Sequence, residues 1–96
     1  MKNQIKMKTL ADFKRNLVIG KEIETIHARL GSFGKRKISI VQSNSFALET
    51  VRNGETVNSW CQYPKAKDIE FKDENTAVIY WGEGEKREQI LTYIFN

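Results

Sequence analysis

The sequence predicts an α+β domain in which a short N-terminal helix precedes six or seven antiparallel strands, forming a bent sheet or a small SH3-like partial barrel. Three observations predict it. Asn53-Gly54 lies between two β-rich runs, the strongest short hairpin signal a sequence carries. Short alternating runs broken by Pro, Gly, Asn or Asp then follow to the C-terminus. Ahead of the pair, Leu10, Phe13 and Leu17 recur at helical spacing. With 96 residues, 40% of them apolar, the chain suits one core, so residues 9–96 are expected to form a single domain behind a flexible segment 1–8.

Each element has a local cause. Thr9-Leu-Ala-Asp12 reads as an N-cap with an acid at the third helical position, and Asp12, Lys14, Arg15 and Asn16 fall on the face expected to meet solvent. Residues 21–30 fit two patterns. As a helix, Ile23, Ile26 and Leu30 align and Gly31 caps the end; as a strand, Ile26, Ala28 and Leu30 alternate with Thr25, His27 and Arg29. The β-branched Ile23-Glu-Thr-Ile26 content selects the strand, with a loop at Gly31 to Lys35 and an antiparallel partner at Lys37 to Val41.

The Asn-Gly pair fixes a register, because a type I′ turn needs φ > 0 at both central residues. It sets Arg52 against Glu55, Val51 against Thr56 and Leu48 against Ser59. Phe46, Leu48, Val57 and Cys61 then share the core face, and Ala47, Glu49, Val51, Asn58 and Trp60 the opposite one. Pro64 ends that pairing, since it lacks an amide hydrogen. A new strand starts near Asp68, turns through Asp73 to Thr76, and returns along Ala77 to Trp81. After a turn at Gly82 to Glu85, Glu88 to Phe95 carries apolar residues on both faces and reads as a covered strand.

Composition limits the chemistry. Cys61 is the one cysteine and His27 the one histidine, which excludes an intrachain disulfide and a Cys/His zinc cage and fits a cytoplasmic protein. Met1 to Lys8 is positive, yet no apolar signal core follows it and no 18-residue apolar stretch occurs, so neither export by that route nor a membrane span is expected. Charge is uneven: residues 1–48 hold ten Lys and Arg against three acids, and residues 49–96 hold six against nine.

No catalytic, cofactor-binding or metal-binding residue is assigned. His27 has no nucleophile placed beside it by any motif and reads as a strand histidine. Cys61, on the core face, reads as a small buried hydrophobe. Gly31-Ser-Phe-Gly-Lys-Arg-Lys37 lacks the glycine spacing and following helix of a phosphate loop. Asp68, Glu70, Asp73 and Glu74 lack EF-hand spacing and read as solvated acids. One constellation carries functional promise: Trp60, Tyr63, Lys65 and Lys67 together with Arg29, Lys35, Arg36 and Lys37. Aromatic rings stack on bases while cations neutralise phosphates, although a Trp on the second sheet face more often packs beneath a helix.

Val41-Gln-Ser-Asn-Ser-Phe-Ala-Leu48 and Ser59-Trp-Cys-Gln-Tyr-Pro-Lys-Ala66 resemble segments of small uncharacterised proteins encoded by prophages and mobile elements of Gram-positive bacteria. The resemblance runs from about Lys37 to Tyr80 and implies a cytoplasmic accessory protein without a known activity or binding residue. The expectation is therefore a non-enzymatic binding module that takes nucleic acid on its basic and aromatic face. The alternative is a protein-interaction or inhibitory module, a homodimer included, in which the last strand offers its edge to a partner.

Overall fold

The structure, a computed structural model, describes residues 6–95. One short helix, α1 (Leu10–Arg15), precedes seven strands: β1 (Glu22–His27), β2 (Gly31–Val41), β3 (Ser45–Arg52), β4 (Glu55–Gln62), β5 (Ile69–Asp73), β6 (Thr76–Trp81) and β7 (Glu88–Phe95). The strands form one open sheet of order β4-β3-β2-β1-β7-β6-β5, with every adjacent pair antiparallel. Single 3₁₀ turns at Ala66–Asp68 and Gly84–Lys86 serve the connections into β5 and β7.

The helix starts as its cap dictates. Thr9 accepts from the Asp12 amide through its hydroxyl, and Asp12 in turn accepts from the Lys8 amide and pairs with Arg15. These bonds hold the Asp12 carboxyl below the usual carboxylate range, led by the Lys8 amide. At the Asn53-Gly54 turn φ is 53° and 80°, and all eight β3–β4 pairs follow the register the turn imposes.

The sheet is strongly curled. Phe46 in β3 and Tyr93 in β7 are three strands apart, which on a flat sheet separates them by about 14 Å. Their ring centroids are 5.8 Å apart. Phe13 of α1 fills the space so enclosed, meeting Phe46, Tyr93 and Phe95 at 6.2, 5.6 and 5.7 Å. Ile23, Ile38, Leu48, Ile69, Ala77, Ile79, Leu17 and Met7 complete the core. Aromatic rings thus do at this end what a longer helix does in larger α+β domains: they remove one sheet face from water.

Several expectations are corrected. Asn16 is buried at the helix C-cap, where its amide donates back to Asp12 and Phe13, and is not on the wet face. The strand over 21–30 ends at His27, and its buried side is Ile23 and Thr25; Leu30 sits exposed in the turn. His27 explains that turn, because its Nδ1 accepts from the Arg29 and Leu30 amides. Residues 31–35 are the first half of β2 and not a loop, since the reversal is finished by Gly31 at φ 89°. Ala47 is buried on the outer face, where register places it between Ile40 and Trp60.

The last strand is not an edge. β7 lies between β1 and β6, and the edges are β4 and β5. Residues 1–5 of the expected N-terminal segment lie outside the described residues; Met7, further along it, is buried and its amide donates to the Glu74 carbonyl beside β5. Among the described residues no helix is long and apolar enough to cross a membrane.

Candidate functional site

The curl leaves one corner uncovered. There the C-terminal half of β4 crosses the ends of β6 and β7, and a cleft of about 490 Å³ opens between them. Its apolar walls are Ile79, Ile90, Leu91 and Tyr93 on one side, with Trp60, Tyr63 and Trp81 at the rim and Cys61 in the floor. The volume falls within the range that binds compact ligands or a few side chains. Trp60 is 52% exposed and Trp81 69%, the latter among the highest values for a large apolar side chain of the described residues. Large exposed aromatics gathered at a concavity are uncommon on a self-sufficient surface.

Two ion pairs set the rim. Arg87 pairs with Asp68 at 2.6 Å, donates to the Lys67 carbonyl at 2.7 Å, and lies 4.7 Å from the Tyr80 ring centroid. Lys67 pairs with Glu83 at 2.7 Å, and each holds the other charged: the Lys67 pKa is raised and that of Glu83 lowered, in both cases led by the hydrogen bond between them. Lys65 lines the cleft and forms no ion pair with a described carboxylate. Gly82, at φ 93°, lets the chain turn beneath Trp81, where a Cβ would meet the Lys86 carbonyl.

In the floor, the Cys61 thiol is pushed above its ordinary value by burial, against the opposing influence of Tyr93 and Arg36. Burial pushes the Tyr93 hydroxyl up as well. Both groups are held neutral, so the floor offers a weak dipole and no charge.

The residues singled out in the sequence separate into three places. Trp60, Tyr63 and Lys65 come together at the cleft. Tyr63 is nevertheless committed to packing, stacked on Phe46 at 5.6 Å with its hydroxyl donating to the Gln42 carbonyl and Lys14 over its ring. Lys35 and Lys37 lie on the outer face of β2 opposite Glu24 and Glu22, beside a separate groove that also takes in Glu49. Arg29, in the β1–β2 turn, pairs with Glu88, and Lys67 is held by Glu83. Arg36 points inward opposite Ile23; its guanidinium lies 5.4 Å from the Phe33 ring centroid, and its buried Nε has no hydrogen-bond partner among the described residues.

Ile79, Trp81, Ile90, Leu91 and Tyr93 are among the cleft residues that sequence reading missed. The available signal was the turn residue Gly82 directly after a tryptophan that ends a strand, a place where a large ring has no following strand to cover it. Comparison with protein-family models, with curated proteins and with solved structures finds no match for this chain.

Proposed function

We propose that the protein is a non-enzymatic protein-binding module whose contact surface is the Trp60–Trp81 cleft. The observation that carries this reading is the arrangement of an apolar, charge-free floor inside a rim of two ion pairs, Lys65 and two exposed tryptophans. Protein interfaces are built this way, with aromatic anchors at the centre and polar groups around them. Phosphate binding needs the reverse, a concentration of unneutralised cations. Here Lys35 and Lys37 face Glu24 and Glu22 on another surface, while Arg29 and Lys67 already hold carboxylates. The distribution of these side chains therefore favours a protein partner over the single-stranded nucleic acid that the basic composition first brings to mind.

The reading is tested by selecting displayed random peptides on the full chain, with counter-selection on a Trp60→Ala/Trp81→Ala variant. Peptides bearing large apolar side chains, binding the wild type at least about tenfold more tightly, are expected. Oligothymidylate at 50 mM salt is the control arm. Tight, salt-sensitive binding of that oligonucleotide with no peptide enriched would reverse the assignment.

A further inference from the structure

The cleft follows a strand edge. Residues 60, 61, 62 and 63 all line it, although successive side chains of a strand point to opposite faces. A cavity touching three consecutive strand positions, Trp60 to Gln62, and the residue that follows them runs along the backbone rather than across either face. In this case the backbone is that of β4, an edge of the sheet.

The register says which groups that edge offers. Arg52 and Glu55 flank a two-residue turn and exchange both backbone hydrogen bonds, and alternation extends the same state to Thr50/Val57, Leu48/Ser59 and Phe46/Cys61. The amides and carbonyls of Thr56, Asn58, Trp60 and Gln62 therefore point away from β3. No further backbone bond engages them among the described residues.

The two edges of the sheet are unlike. β5 spans five residues, three of them charged, with a bulge before Asp73 and the Met7 amide bonded at Glu74 beside it. These are the devices that keep an edge from pairing. β4 carries one charge, Glu55 at its start; it pairs with β3 at eight positions without a bulge, and Thr56 to Gln62 contains neither charge nor proline.

We infer that β4 accepts an extended peptide segment of a partner protein as an added strand. The segment's backbone bonds Asn58, Trp60 and Gln62, and one of its alternate side chains, large and apolar, enters the cleft against Ile79 and Leu91. The inference rests on the protein-binding reading above and adds its mode. Three features fix the occupant's chemistry. Outward backbone groups at every second residue require an extended chain. The apolar walls require an apolar side chain on the inward side of that chain. Lys65, which acts on Glu83 but forms no ion pair among the described residues, favours an acidic residue just beyond the anchor.

The test uses the peptides selected on the full chain. Gln62→Pro removes an outward amide while leaving the β3 ladder intact, and proline is tolerated on an edge strand. On the peptide side, N-methylation at alternate positions removes the matching donors without altering the protein. Strand addition predicts about tenfold weaker binding in each case, in one of the two N-methylation registers, together with slowed amide exchange at Asn58, Trp60 and Gln62 in the complex. Lys65→Glu is expected to weaken binding of peptides with an acid beside the anchor by a few fold.

Each other outcome counts against the inference. Peptides that need Trp60 and Trp81 but tolerate Gln62→Pro and both N-methylation registers leave the cleft as a binding site and remove the added strand. Failure to select any peptide removes both. A dimer in sedimentation equilibrium that Gln62→Pro dissociates assigns the edge to a second copy of this chain instead.

Discussion

Two regions of the curled sheet use aromatic residues to opposite ends. Beneath α1, Phe13, Phe46, Tyr93 and Phe95 form a ring cluster from which water is excluded, each residue being no more than 2% exposed. Around the cleft, Trp60 and Trp81 stand half or more in solvent. The difference is one of coverage. Phe13 of the six-residue helix covers the first region, and no residue of that helix lines the cleft. The same residue class therefore fills the core in one place and stands exposed at a rim in the other. A burial fraction, not a residue type, separates the two roles.

The sharpest way to break this comparison is to truncate one ring from each region. Phe13→Ala leaves a cavity among three rings and is expected to cost about 3–5 kcal/mol in urea unfolding, a large share of what a domain of this size has. Trp60→Ala, by contrast, is expected to cost under about 1 kcal/mol while abolishing peptide binding. Equal destabilisation by the two variants would show that the cleft is part of the core.

Legibility from sequence follows the same division. The closed region was readable because its causes are local: a Thr9–Asp12 cap, helical spacing of Phe13, and a turn at Asn53-Gly54 whose geometry permits one register. The placement of Cys61 inward and Trp60 outward follows from that register alone. The cleft was half readable. Trp60, Tyr63 and Lys65 are close in sequence, but Trp81, Ile90 and Leu91 reach them only through the curl, which no local pattern encodes. The position of the cations was not readable for a related reason: strand pairing sets Lys35 and Lys37 opposite Glu24 and Glu22 of β1, with one register shift between Glu24 and Ile26, and charge counts along the chain do not encode that pairing. The misplacement of the edge has a topological cause, because β1 is inserted between β2 and β7 and turns the last strand into an interior one.

A smaller effect is expected at the β6–β7 turn beside the cleft. Gly82→Ala forces φ near 93° on a residue with a Cβ and drives that atom onto the Lys86 carbonyl. The expected cost is about 2 kcal/mol, read by thermal or urea unfolding. The turn carries Trp81 and, through Arg87, the clamp on Asp68, so peptide affinity should fall with stability. Gly34→Ala is the matched control: φ is positive there too, yet nothing lies within 4 Å of the added carbon. A cost in Gly82→Ala no greater than in Gly34→Ala would mean that backbone strain alone, and not the approach of Lys86, governs the site.

The least perturbing probe sits on the boundary itself. Cys61 faces Tyr93 on its buried side and lines the cleft on the other, and burial raises its thiol above the ordinary cysteine range. The thiolate is the reactive form, so alkylation by iodoacetamide at pH 8 should run about tenfold slower in the folded protein than in urea, with its pH midpoint displaced upward. The sign for stability follows from the same shift. The unfolded chain ionises first, so the contribution of the neutral thiol is complete below the ordinary cysteine value near 8.5 and is lost as pH rises through the folded value. A peptide seated in the cleft should slow alkylation further, and Trp60→Ala should hasten it without changing the unfolded rate. Folded and unfolded rates that coincide would place Cys61 in open solvent and dissolve the boundary between the closed region and the cleft.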